Sequence, residues 1–132
     1  MSEMIFKPYI SVGTILFGQE RETVRKESGD SFREFKKTKF SQNTTDDFGG
    51  YHVFYDGSDK VEAVEVFPEN SVLYRDKNLL QISYAEAVKL LKDHNCREDE
   101  YGLIDSDAGI SVYAPDHNQI ESVLLFRKGY YD

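Results

Sequence analysis

Two stretches of this chain match each other without a gap at a spacing of fifty-nine residues. Asp46 through Phe67 reads onto Asp105 through Phe126, so that Gly50 meets Gly109, Val53 meets Val112, Phe54 meets Tyr113, Val61 meets Ile120, Glu62 meets Glu121, Val64 meets Val123 and Phe67 meets Phe126. A second correspondence lies upstream at an offset of sixty-four, where Ile15–Arg25 aligns on Leu79–Lys89. Repetition of this kind speaks first of architecture, because each copy is expected to build one supersecondary unit that buries its apolar face against the other.

The elements inside each copy follow from local patterning. Gln19–Ser28 is rich in helix formers and is closed by Gly29, which suits the positive φ that commonly follows a helix. Tyr51–Tyr55 and Val61–Phe67 are β-rich runs separated by Asp56-Gly57-Ser58-Asp59-Lys60, a hairpin signal in which glycine accepts positive φ. Glu62 and Glu65 interrupt the second run, so this strand is expected either to carry a bulge or to be covered on both faces. In the second half, Ser83 and Glu86 form a capping-box pattern before an apolar face of Ala87, Val88, Leu90 and Leu91, which predicts a helix over Tyr84–His94. Strands are expected at Ile10–Phe17, weakly at Ser31–Phe40, at Val72–Tyr74, Tyr101–Ile104, Ile110–Ala114 and Gln119–Phe126, with 41–47 and 95–100 as polar loops.

Each half therefore reads strand, helix, variable segment, hairpin. Sequential hairpins pair antiparallel, and one helix per unit leaves the helices on one face of the resulting sheet, so the predicted class is α+β. The expected organisation is a single compact domain over 1–132, built from two pseudo-repeat units at roughly 10–75 and 76–132. The remaining sheet face must then be solvated, packed against the other unit or offered to a partner.

Composition narrows the partner. Twenty-four acidic side chains against sixteen basic ones give a net charge of −8, which disfavours nonspecific attraction to nucleic acid or anionic lipid and favours basic partners. The single cysteine, Cys96, cannot form an internal disulfide, and neither a signal-like N-terminus nor a membrane-length apolar run is present, so a cytoplasmic location is expected.

Motifs that carry chemistry are sparse. His52, His94 and His117 have no metal-ligand spacing, and His94 suits a last-turn interaction with the helix dipole. Asp105–Gly109 opens like a calcium loop but lacks later ligands, and glycines 13 and 18 belong to no phosphate-binding motif. Glu62 and Glu121 occupy equivalent positions for architectural reasons, and Arg33–Phe40, basic with interleaved aromatics, reads more simply as a solvated edge strand than as a single-strand nucleic-acid platform. No catalytic residue, metal site or cofactor is predicted.

Ile15-Leu16-Phe17-Gly18 with Glu22-Thr23-Val24-Arg25, Asp47-Phe48-Gly49 before His52-Val53-Phe54-Tyr55-Asp56, Tyr84-Ala85-Glu86-Ala87, and the ending Glu121–Tyr131 together resemble a family of small bacterial proteins, some of them similar to immunity proteins of polymorphic toxin systems. By analogy of organisation alone, the tandem units are also similar to the β-lactamase-inhibitor-protein-like fold, which offers a concave sheet to a partner enzyme. The resemblance carries no catalytic residue across. Taken with the acidity, the absence of a catalytic constellation and the duplicated sheet, it points to a cytoplasmic protein-binding module, as an immunity protein that occludes a basic toxin would be. Candidate partner-binding residues are Asp46, Asp47, Tyr51, Tyr55, Asp105, Asp107, Tyr113, Tyr130 and Tyr131, the tyrosines as anchors and the acids as steering charge. Two other readings stand beside it: a small ligand-binding domain or enzyme with a pocket between the units, using Glu62, Glu121 or His52, and a structural module that homodimerises through an exposed strand.

Overall fold

A computed structural model describes residues 3–29, 31–36, 38–39 and 43–130. The chain is α+β. Its elements run β1 (Glu3–Lys7), β2 (Ser11–Val12), β3 (Ile15–Leu16), α1 (Arg21–Ser28), β4 (Arg33–Phe35), β5 (Thr45–Asp47), β6 (Tyr51–Tyr55), β7 (Val61–Val66), β8 (Ser71–Tyr74), β9 (Lys77–Asn78), α2 (Tyr84–Leu91), β10 (Cys96–Asp99), β11 (Gly102–Asp105), β12 (Ile110–Tyr113) and β13 (Ser122–Phe126).

Eight strands form one wholly antiparallel sheet in the order β10-β11-β12-β13-β7-β6-β5-β4. The two hairpins at its centre keep one register: Val53 faces Val64, and fifty-nine positions on, Val112 faces Val123. Of the two alternatives left open for β7, the bulge is present as a register shift, with Phe54 opposite Ala63 but Tyr55 opposite Val61, so Glu62 is the extra residue. The hairpin loop differs from expectation in detail. Asp59, at φ 65°, takes the left-handed conformation in place of Gly57, and the Asp56 carboxylate shapes the loop by accepting from the Ser58 and Lys60 amides at 2.8 and 3.1 Å.

A second sheet of five short strands, β3-β2-β1-β8-β9, was not expected. It joins the beginning of the chain to its middle through the parallel pair β1–β8, and of its strands only β9 falls in the second of the two expected units. The expected entry strand Ile10–Phe17 is broken into β2 and β3 around Gly13. Two segments expected as polar loops also contain strands, β5 and β10.

Both helices cover the same face of the large sheet. α2 begins with the predicted capping box, the Ser83 hydroxyl accepting from the Glu86 amide at 3.2 Å while the Glu86 carboxylate accepts from the Ser83 amide at 3.3 Å. It ends at Leu91, a turn before His94, and buries Tyr84, Ala87 and Leu91. α1 has no side-chain cap; its entry is pinned to the β6–β7 hairpin by Gly18 N to Val61 O, Val61 N to Gln19 O and Arg21 N to Asp59 O, all near 3 Å. Val24 is its one apolar side chain, and it is buried. The core between the helices, the small sheet and the inner face of the large sheet holds Phe6, Val12, Val24, Val53, Val64, Leu79, Leu91, Ile110, Val123 and Leu125.

Candidate functional site: the outer sheet face

Side chains on adjacent strands that are paired across the ladder share a face, so two rows describe the large sheet. The inner row is Glu34, Asp46, Val53, Val64, Leu125, Ile110, Asp105, Cys96. The outer row is Arg33, Asp47, His52, Glu65, Leu124, Ser111, Ile104, Arg97.

The inner row explains the fate of the predicted acidic contacts. Asp46 and Asp105 were candidates for steering a partner, but both have no exposed surface, and each carboxylate is spoken for inside the fold. Asp46 accepts from Arg25 Nε and Nη2 at 2.8 Å each, from Arg21 Nη1 at 3.3 Å and from the Tyr55 hydroxyl at 3.0 Å. Arg21, itself 5% exposed, also donates to Asp59, Thr44 and Asn43, and its guanidinium lies 4.1 Å from the centre of the Tyr55 ring. Burial beside Asp46 pushes the Tyr55 hydroxyl well above its ordinary range, and the hydrogen bond to Asp46 holds Arg25 firmly protonated. Tyr55 is thus a core residue and not a surface anchor. Asp105 pairs with His94 Nδ1 and accepts from the Asp107 and Ala108 amides, while His94 Nε2 sits 2.8 Å from Arg75 Nη2. This pairing, and not a last-turn dipole contact, fixes His94.

The other candidates divide between rim and surface. Asp107 is exposed but accepts from the Asn95 amide at 2.7 Å. Asp47 is half-buried on the outer face, 3.5 Å from both Arg33 and His52. Tyr51 is half-buried and stacks on Phe48, away from the outer face. Tyr113 is 43% exposed on the outer face, and Tyr130 stacks on Phe126 there, with ring centres 5.7 Å apart. Tyr131 lies outside the described residues, as do Lys37 and Phe40 of the basic segment; β4 forms an edge of the large sheet with Arg33 and Glu34 exposed.

On the outer face itself, Phe54, Ala63 and Phe126 form an apolar floor with Ile104, Leu124 and Tyr130 packed around it. The C-terminal turn lies over one end: Arg127 N donates to Glu62 O at 3.0 Å and Arg127 Nη1 to Asp56 Oδ2 at 2.7 Å. Beneath this turn is a cavity of about 410 Å³ lined by Thr45, Phe54, Asp56, Glu62, Arg127 and Tyr130, among others. Glu121 and His52 are not among its lining residues, so of the three side chains considered for chemistry only Glu62 reaches it. Cys96 is half-buried on the inner row, its thiol donating to Leu91 O at 3.1 Å, and burial with nearby Asp105 pushes it up to about 11. Such a thiol is a poor nucleophile at neutral pH. Among the described residues no group of three or more His, Cys, Asp or Glu is arranged to hold a metal ion, and no helix is long and apolar enough to cross a membrane.

Sequence reasoning missed Arg127, Asp56 and Thr45 as members of one site. The signal available was modest: Asp56 sits in the hairpin loop and Arg127 directly follows the last strand. Comparison of the chain with protein-family models, with curated proteins and with solved structures finds no match.

Proposed function

We propose that this chain is a protein-binding module that presents the outer face of its eight-stranded sheet to a basic protein, acting as an immunity protein does when it occludes a toxin. One observation carries the reading. The inner face is sealed by two helices and a second sheet, whereas the outer face carries the half-buried Ile104 and Leu124 and the exposed Tyr113 without a covering layer among the described residues. Aromatic and aliphatic side chains ringed by polar ones make the usual centre of a protein interface. The net charge of −8 selects for a basic partner and speeds its approach. Substitution of Leu124 or Ile104 by arginine tests the reading: the proposal requires that such variants fold and lose the partner.

A second reading is favoured by the cavity, which takes Asp56 and Glu62 from the first half of the chain and Arg127 and Tyr130 from the second. A small ligand bound there would make the chain a ligand-binding domain. In that case Ile104→Arg, on a strand that does not line the cavity, leaves binding unchanged.

A further inference from the structure

Asp105, His94 and Arg75 form a chain of contacts that runs from the inner row of the large sheet to the surface, and the proton positions along it follow from chemistry. Asp105 has no exposed surface; one oxygen of its carboxylate accepts from the Asp107 and Ala108 amides, and the other pairs with His94 Nδ1. His94 lies just beyond α2 with its side chain 11% exposed, and its Nε2 stands 2.8 Å from Arg75 Nη2. A guanidinium only donates, so Nε2 accepts there and the imidazole proton sits on Nδ1, directed at Asp105. His94 is therefore neutral in this arrangement, its tautomer fixed from both sides. Arg75 belongs to the tight turn between β8 and β9, in which Arg75 and Asp76 both have positive φ, 52° and 63°. From there its guanidinium lies 5.1 Å from the centre of the Tyr74 ring and also donates to Leu90 O, in the last turn of α2, at 3.4 Å. One exposed arginine thus joins the five-stranded sheet to the end of α2.

Imidazole is the side chain that changes charge between about pH 5 and 8. The charged and titratable groups around His94 are Asp105 of β11, Tyr74 and Arg75 at the end of β8, and Cys96 of β10, whose thiol lies near Asp105. The Asp107 carboxylate is taken by the Asn95 amide, and Lys92 and Asp93, on the segment that carries His94, are exposed. A proton arriving at Nε2 turns that atom from acceptor to donor and sets a cation against the Arg75 guanidinium, so this contact is lost. The same proton makes the bond from His94 to Asp105 charge-assisted and stronger, so the segment beyond α2 stays in place. We propose that Arg75 and His94 form a pH-sensitive latch between the β8–β9 turn and α2, closed while His94 is neutral and released when it is charged. The latch is independent of the outer face, because Asp105 belongs to the inner row and Arg75 to the five-stranded sheet.

The test uses the full chain alone and is read by NMR. At about pH 8 the imidazole nitrogen shifts of His94 are expected to show the proton on Nδ1 and none on Nε2. Amide exchange at Lys77 and Asn78 of β9, corrected for the intrinsic effect of pH, is expected to quicken about threefold to fivefold between about pH 8 and pH 5, the scale of one exposed polar contact, in step with the His94 ring signals. Exchange in α2 and β11 holds steady over the same range. Arg75→Met, a change at an exposed position, is expected to leave β9 exchanging at the faster rate at both pH values. A proton on Nε2 at the higher pH, β9 exchange that is the same at both, equal loosening of α2 and β11, or a full pH response persisting in Arg75→Met would each overturn the latch.

Discussion

Asp46 and Asp105 stand in the same cross-strand row of the large sheet, each one strand in from an edge, with four apolar side chains between them and no exposed surface on either. Each ties down the helical segment above its own half of the sheet, Asp46 through Arg21 and Arg25 of α1 and Asp105 through His94 just beyond α2. Because a buried charge is tolerable only while paired, removing one member strands the other. Asp46→Ala is therefore expected to cost about 3–5 kcal/mol of stability. In a double-mutant cycle with Arg21→Ala, the paired substitution should cost clearly less than the sum of the two single ones. Urea unfolding of the four proteins measures this, and strict additivity would refute the coupling.

The two helices are held by different forces, so acid should separate them. α2 docks through Tyr84, Ala87 and Leu91, whereas α1 buries Val24 and relies on arginines meeting Asp46, Asp59 and Glu34. The Asn43 side chain and then Arg21 hold Asp59 below the ordinary 3.8, and the Thr44 hydroxyl and then Arg25 hold Glu34 below the ordinary 4.5. A carboxylate with a lowered folded-state value contributes stability in full above its unfolded value and loses it as pH falls through the folded one. Amides of α1 are thus expected to lose hydrogen-exchange protection before those of α2 as the pH drops below about 4. Simultaneous loss in both helices would contradict the assignment.

Cys96 should be slow to react. With the thiol pushed from 9.0 to about 11, its thiolate population at a given pH below 9 falls about a hundredfold. Modification by a disulfide reagent at pH 8 is expected to be slower by about that factor in the folded chain than in urea. Equal rates would show the thiol to be exposed and unshifted.

Gly102 is required by its backbone, at φ 146° with an added Cβ falling 1.9 Å from the Val112 carbonyl oxygen. Gly18 also has positive φ, 86°, but an added Cβ there meets nothing within 4 Å. Gly18→Ala should therefore cost about 1 kcal/mol from conformation alone, and Gly102→Ala distinctly more, since β11 and β12 must move apart. Thermal unfolding of the two variants decides the order.

The parts of this fold that announce themselves in the sequence are those whose signals are local. Ser83 and Glu86 are three residues apart and cap α2 as they read; the runs around Asp56–Lys60 pair as a hairpin because their alternation and loop chemistry agree. What escaped depends on distant partners. Thr45-Asp46-Asp47 reads as a polar loop, yet it is a strand because Arg21 and Arg25, more than twenty positions earlier, neutralise Asp46 inside the core. Cys96–Asp99 is polar because it is an edge strand, and β1, beside its local pairing with β2, is flanked by β8, far along the chain. The candidate site divides in the same way. Tyr113 and Tyr130 do lie on the outer face, but Tyr55, Asp46 and Asp105 point inward, since a single step along a strand reverses the face and the sequence does not state which residue is satisfied within.

The most direct test of the proposed role is capture of a partner from the source cell by three immobilised forms: the wild-type chain, the outer-face variant Leu124→Arg, and Ile5→Glu, which alters an exposed residue of the five-stranded sheet. The proposed role predicts that a basic protein is retained by the wild type and by Ile5→Glu and is lost with Leu124→Arg, each variant being folded by circular dichroism. Retention of that protein by Leu124→Arg, or its loss with Ile5→Glu alone, would contradict it.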